Sequence, residues 1–459
     1  MIVPGRGPKT QPIASTLDRL AGLEKFLSEE LVDEVLTATD KQSRYRSTLS
    51  HDIMLRVVVG MGLFTDKPIR QVYRACRRSS PHATTPRRSS LCVARQRLGS
   101  EPLRELHCRI VRPLATADTP GAFYRGMRKV AIDGTVLDVP DCDALQHFGR
   151  SSGSRGTGPF PQVRKVSLVE CGTHVELDFV HGGWHDSEKK LVEELWSSIP
   201  EDALLIEDRG FFSYDHWRKL HEKHRLLVRV QKSMVLKPIK RLADGSFLAK
   251  IYPSCRHRKQ RKGGILVRVI EYKLDDPQRP GHGELHRLMT NLLDADVYPA
   301  MELICAYHER WESELVFDEQ KTHQDPRRAE KTTHLRSETP DGIVQELYAI
   351  SLGHFIIRSM MFDAAKEASM DVDRLSFKGC FQIIQLRLPE CSGRSPAEVE
   401  WWYRSLLAEL REETIPPRRN RINPRVIKRK MSRWNKKRPH HRKPRPLQKT
   451  FADTVVIEK

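Results

Sequence analysis

The stretch Tyr307–Lys321, YHERWESELVFDEQK, decides how the chain is read. It contains no Gly or Pro and is rich in Glu, which predicts a helix. Tyr307, Arg310, Glu314 and Lys321 stand at offsets 0, 3, 7 and 14. At about 100° per residue these lie near 0°, −60°, −20° and −40°, on one narrow stripe. A phenol, a guanidinium, a carboxylate and an ammonium on one stripe suit a site for a metal and a phosphate. A solvated helix face with an i,i+4 Arg–Glu pair has the same composition. The stripe therefore needs partners elsewhere in the chain.

Two upstream aspartates are candidates. The run RKVAIDGTVLDVPD from Arg128 alternates β-branched and polar residues, which predicts a strand with Asp133 inside it. A carboxylate in a core strand is costly unless a cation meets it. A turn aspartate before Gly134 is the plainer alternative. Further on, Ala203–Ile206 predicts a buried strand, with Glu207, Asp208, Arg209 and Gly210 at its end and a helix opening near Ser213. Catalytic groups collect at such carboxyl ends. Between the two aspartates, VRKVSLVEC and THVELDFVHG are joined at Gly172 as a hairpin would be. Residues 150–161, RSSGSRGTGPFP, read as a mobile Gly/Ser loop. HDSEKKLVEELWSSI reads as a helix, and LLVRV from Leu226 as a further strand.

The spacing Tyr-x2-Arg-x3-Glu-x6-Lys resembles the YREK signature of the hairpin-forming DDE transposases, the IS-four family that includes the transposon-five enzyme. The order of strands and helices resembles the RNase H-like fold of polynucleotidyl transferases. The resemblance implies an α/β protein. A helical N-terminal domain at 14–118 would precede an RNase H-like catalytic domain at 126–365. That domain would carry a β-rich insertion at about 231–293, followed by a helical segment at 366–415 and a basic, disordered tail at 416–459. Three carboxylates converging on one point repel unless cations lie between them, and hard oxygen ligands suit Mg²⁺ or Mn²⁺. Asp133, Asp208 and Glu314 are then the catalytic residues and metal ligands, for two ions. The resemblance assigns DNA phosphates to Tyr307, Arg310 and Lys321. It implies cut-and-paste transposition: end nicking, hairpin formation, and strand transfer into target DNA. The implied partners are double-stranded DNA, as terminal inverted repeats and target, and a second copy of the chain in a synaptic complex.

Composition agrees with a DNA partner. The 459 residues include 79 Lys and Arg against 59 Asp and Glu, a net charge of +20, which favours a polyanion. Fifteen of the basic residues fall within 416–450, which has no acid and six prolines. Such a segment suits the DNA backbone, or serves only solubility. The N-terminal region is helical by pattern, with Leu20, Leu23, Leu27 and Leu31 at helical spacing and basic runs beyond them. It reads as a DNA-binding unit or as a packing domain with solvated arginines. The apolar windows at Met54–Phe64 and Val344–Phe362 read as core helices, since the first is short and the second holds Glu346, His354 and Arg358. Nine cysteines without CxxC or zinc-ligand spacing read as reduced thiols. Together with a start that lacks a signal-peptide pattern, these features predict a cytoplasmic, nucleoid-associated protein. Two other readings share most of these features: a decayed or domesticated DNA-binding copy, and a metal-dependent nuclease without strand transfer.

Overall fold

The computed structural model describes residues 22–43, 48–76, 84–153, 156–277, 281–325, 333–391, 395–416 and 449–458, with short backbone pieces between 421 and 446. The reading of Leu20 and most of the basic tail lie outside these residues.

A mixed sheet organises the fold. Its central strands are β2 (Met127–Asp138), β4 (Gly156–Glu170), β5 (Val175–Gly183), β6 (Ala203–Glu207) and β7 (Arg225–Arg229). They lie in the order β5-β4-β2-β6-β7. The β2–β4 and β4–β5 pairs are antiparallel, while β2–β6 and β6–β7 are parallel. This order fits an RNase H-like core. The middles of its parallel strands are apolar, as strands covered on both faces should be; every residue of β6 is buried, Glu207 included.

The sheet continues through β11 (His286–Thr290), β10 (Ile265–Leu274) and β9 (Phe247–Ile251), all antiparallel and all within the 231–293 span. Two expectations are corrected at its ends. Residues 150–153 and 156–161 are strand, not loop: β3 (Arg150–Gly153) pairs with the start of β4, because backbone pairing satisfies these Gly/Ser residues without needing side-chain packing. The end of the basic tail is not disordered either. Val455–Ile457 is a strand that adds to β10, and Phe451 stacks on His308 with ring centroids 3.7 Å apart. Phe451, Val455 and Ile457, beyond the basic run, pack half-buried against the sheet and the helix that carries His308.

Helices cover the sheet. The N-terminal ones are α1 (Glu29–Ala38), α2 (His51–Leu63), α3 (Ile69–Cys76), α4 (Arg88–Leu98) and α5 (Glu101–Ile110). The segment Leu23–Leu27 packs as turns ahead of α1, not as the start of a long helix; the side chain of Ser28 caps α1 by accepting from the Leu31 N–H. A 28-residue helix, Pro340–Glu367, is capped by Thr339 and buried along most of its length. It crosses α2 so closely that a Cβ on Gly62 would lie 1.8 Å from the Ala349 carbonyl oxygen. One hydrophobic core joins the N-terminal helices to this long helix and to the C-terminal helices Phe377–Arg387 and Pro396–Leu410. Arg95, within the basic helix α4, is used in packing: it binds the Gly342 carbonyl and Gln345 at the start of the long helix. No helix among the described residues is long and apolar enough to cross a membrane. The nine cysteines are all free.

Candidate active site

Register places the two aspartates together. The last matched pair of the parallel β2 and β6 is Ile132 with Glu207. Asp133 and Asp208 follow side by side, on strands about 4.8 Å apart. Strand β6 stops there, while β2 runs on to Asp138 along β4.

The glutamate segment lies over this point. The single helix expected over Tyr307–Lys321 is in fact three pieces: α9 (Ala300–His308), α10 (Trp311–Asp318) and a π-helical turn, Glu319–Gln324. Local propensity gave no sign of the breaks, because tertiary contacts make them. At the first break Glu309 is drawn to Lys129. There the Arg310 N–H bonds back only three residues, to the Tyr307 carbonyl, and its side chain turns towards the sheet. At the second, Glu319 is drawn to Arg358 of the long helix.

The stripe still converges. The Tyr307 hydroxyl makes a long contact, 3.4 Å, with Asp208 Oδ1. Arg310 Nη1 lies 3.1 Å from Asp133 Oδ2, and its Nη2 lies 3.4 Å from Glu314 Oε1. Lys321 Nζ donates to Thr135 Oγ1 at 3.0 Å and to the Val136 carbonyl at 2.9 Å, two and three residues beyond Asp133 on β2. All six residues singled out in the sequence thus gather along β2 from Asp133 onward and at the end of β6. Ser313 belongs with them and carried no signal in the sequence. Its hydroxyl lies 3.1 Å from Asp133 Oδ2 and also reaches the Arg310 carbonyl. It enters because the break at Arg310 shifts the helical phase.

Electrostatics follow from this packing. Burial and Asp208 push the Tyr307 hydroxyl pKa up, so it stays a donor. Burial works against the charge on Arg310, but Tyr307, Asp133, Asp208 and Glu314 together raise its pKa. The guanidinium is buried, and its Nε has no hydrogen-bond partner. A side chain of the protein itself is the cation between Asp133 and Glu314. That donor set, two carboxylates drawn to one positive group with a third carboxylate next to them, fits a hard divalent ion.

A strand-borne aspartate, a second at the end of the adjacent parallel strand and a helix-borne glutamate define a class: DDE-type polynucleotidyl transferases. Residues 124–353 match the transposase DDE domain family, and residues 17–108 match the insertion element 4 transposase N-terminal family. The chain belongs to the IS4 family of DDE transposases and is an insertion-sequence transposase. It is 28% identical over 417 residues to the Escherichia coli (strain K12) transposase InsG of insertion sequence element IS4, covering 89% of this chain and 92% of that one. The E. coli putative transposase InsZ is 25% identical over 204 residues, 43% of this chain and 67% of its own. A solved piggyBac transposase synaptic complex with hairpin DNA is more remote, with a TM-score of 0.43 at 12% identity over 86% of either chain. Transposase DDE domains use divalent metal ions.

Proposed function

We propose that this transposase moves its element by cut-and-paste, through nicking of the transposon end, hairpin formation, and strand transfer by the freed 3′-hydroxyl. The observation that carries this reading is the seat of Arg310 against Asp133 and Glu314, with Tyr307 and Lys321 on the same face. Two Mg²⁺ or Mn²⁺ ions held by Asp133, Asp208 and Glu314 would activate the attacking hydroxyl and take up charge on the leaving oxygen. Ser313 and the Gly134 N–H, 2.8 Å from Asp133 Oδ1, fix the direction of that carboxylate. Arg310, carried on a short break between helices, is placed to exchange its carboxylate partners for a DNA phosphate, which it grips bidentately. Lys321 is placed to hold a phosphate further along the strand, and Tyr307 to donate to one near Asp208. Each transfer step exchanges one phosphodiester for another, so the chemistry needs no nucleotide cofactor. The protein works on double-stranded DNA as a homodimer that brings two transposon ends together.

The test is a gel time course on a duplex carrying the element's own terminal repeat, in Mg²⁺, resolving nicked, hairpin and double-end-break products. The proposal expects nick, then hairpin, then opened end. Nicks that never become hairpins, with no joining to a target plasmid, would show a nuclease instead.

A further inference from the structure

Behind the glutamate segment lies a buried network of charged side chains to which the proposed chemistry gives no role. His174 ends the turn between β4 and β5 and is fully buried. Its φ is +58°, a left-handed backbone that a non-glycine residue keeps only when its surroundings fix it. Its Nε2 meets Glu312 and lies 3.3 Å from Asp373 Oδ1. Its Nδ1 lies 2.7 Å from Arg358 Nη2. Arg358 also holds both oxygens of Glu319, and His354 Nε2 lies 3.0 Å from one of them. Burial would push Glu319 up, but Arg358 and the two histidines hold it well below the usual carboxylate range. Two of the three acids in this network flank Glu314: Glu312 in the first turn of α10, and Glu319 at the first residue of the π turn.

We propose that His174, with Arg358, is a positioning residue: the pair clamps the rear of the segment whose front presents Arg310, Glu314 and Lys321. The front contact from Arg310 to Glu314 is 3.4 Å long and half-exposed, and holds the carboxylate less firmly than a buried contact would. The rear clamp fixes the helical phase instead, and its π turn aims Lys321 along β2. Ligand atoms of His174, Glu312 and Asp373 lie within 4.8 Å of one another, which is close enough for a metal ion. The chemistry is against one. Nε2 faces the carboxylates of Glu312 and Asp373, which accept when ionised, so Nε2 carries a ring proton. Nε2 then has no lone pair for a metal, and Arg358 places a positive charge beside the cluster. The cluster holds a helix.

This inference rests on Glu314 being a metal ligand, and the experiment separates the two claims. The full-length protein is compared with His174→Asn, since Asn tolerates the left-handed backbone, and with Glu312→Gln, whose side chain is partly exposed and keeps its shape. Mn²⁺ binding without DNA is measured by calorimetry, alongside the melting temperature and nicking as a function of Mn²⁺ concentration. Both variants should bind Mn²⁺ roughly tenfold more weakly, as expected when a group supporting a metal ligand is lost. Nicking should be largely recovered at saturating Mn²⁺. Unchanged Mn²⁺ affinity in both variants would overturn the proposal, and if His174→Asn does not fold, Glu312→Gln decides alone. A triple variant, Asp133→Ala with Asp208→Ala and Glu314→Ala, should bind no Mn²⁺. An ion that it still binds and that His174→Asn removes would make the cluster a metal site and overturn the clamp. Normal nicking by Glu314→Ala would remove the metal-site reading itself, and this inference with it.

Discussion

Arg310 carries the sharpest consequence at the scale of single residues. It neutralises Asp133 and Glu314 in the DNA-free protein, so it competes with any cation that would join them. Arg310→Ala should therefore tighten Mn²⁺ binding without DNA by roughly 3- to 10-fold, about the worth of one nearby charge at high effective dielectric. The same variant should lose hairpin product more than first-strand nicking, because folding a strand end back on its complement strains the phosphates most. Calorimetry and the product gel check the two halves. Weaker Mn²⁺ binding would mean that Arg310 supports the metal site, and equal loss of both products would mean a general role in DNA binding. The six residues of the proposed site could be singled out in the sequence because their chemistry is unusual at fixed spacing. Ser313 was not, since a serine on a helix is ordinary until a break in that helix turns it towards Asp133.

Among the elements, the broken glutamate helix and the C-terminal strand are where pattern reading fell short. The helix was legible as helix, but its break at Glu309–Arg310 and its π turn arise from Lys129 and Arg358, which are remote in sequence. The C-terminal strand is three residues long and follows a basic run, too short to register as a strand by alternation. It pairs with β10, and Phe451 stacks on His308, the residue after Tyr307. Deleting residues 449–459 should destabilise the protein by about 2–4 kcal/mol through lost apolar burial. It should also slow hairpin formation, because α9 then loses a support next to Tyr307. A melting curve and the product gel test this. An unchanged melting temperature would show that the strand docks without consequence.

For the whole molecule, the N-terminal helices and the catalytic sheet share a core through the long helix, and Gly62 is where they meet. Gly62→Val would force two helix backbones apart and should cost about 3 kcal/mol or more, read as loss of soluble, cooperatively melting protein. Charges are buried in this shared interior as well. Burial alone would raise Glu176, but Lys165 and Ser167 bring it down to about 2. A carboxylate depressed on folding adds stability above its unfolded value near 4.5, and that stability is lost as pH falls from there towards 2. The urea midpoint should thus fall steeply below about pH 4.5. Glu176→Gln should be least stable relative to wild type at pH 7, where Lys165 is left unpaired, and the gap should narrow by pH 3. A gap independent of pH would show that Glu176 is not charged in the fold. The order of the central strands and helices along the chain was legible because strands with buried or alternating patterns are separated by clear turns. The shared core was not, since a sequence pattern marks which face of a helix is apolar and not which partner covers it.

The central claim is that Asp133, Asp208 and Glu314 form one metal-dependent centre for phosphodiester chemistry. Its most direct test is Mg²⁺-dependent nicking of duplex DNA bearing the element's own terminal repeat, measured for Asp133→Ala, Asp208→Ala and Glu314→Ala, with binding to the same duplex measured by gel shift. The account predicts that each variant nicks at background, a loss of about 1000-fold or more as for residues that act as a unit, while DNA affinity stays within about 3-fold of wild type, since no phosphate contact is removed. Nicking near the wild-type rate by any one variant, with DNA binding intact, would contradict it.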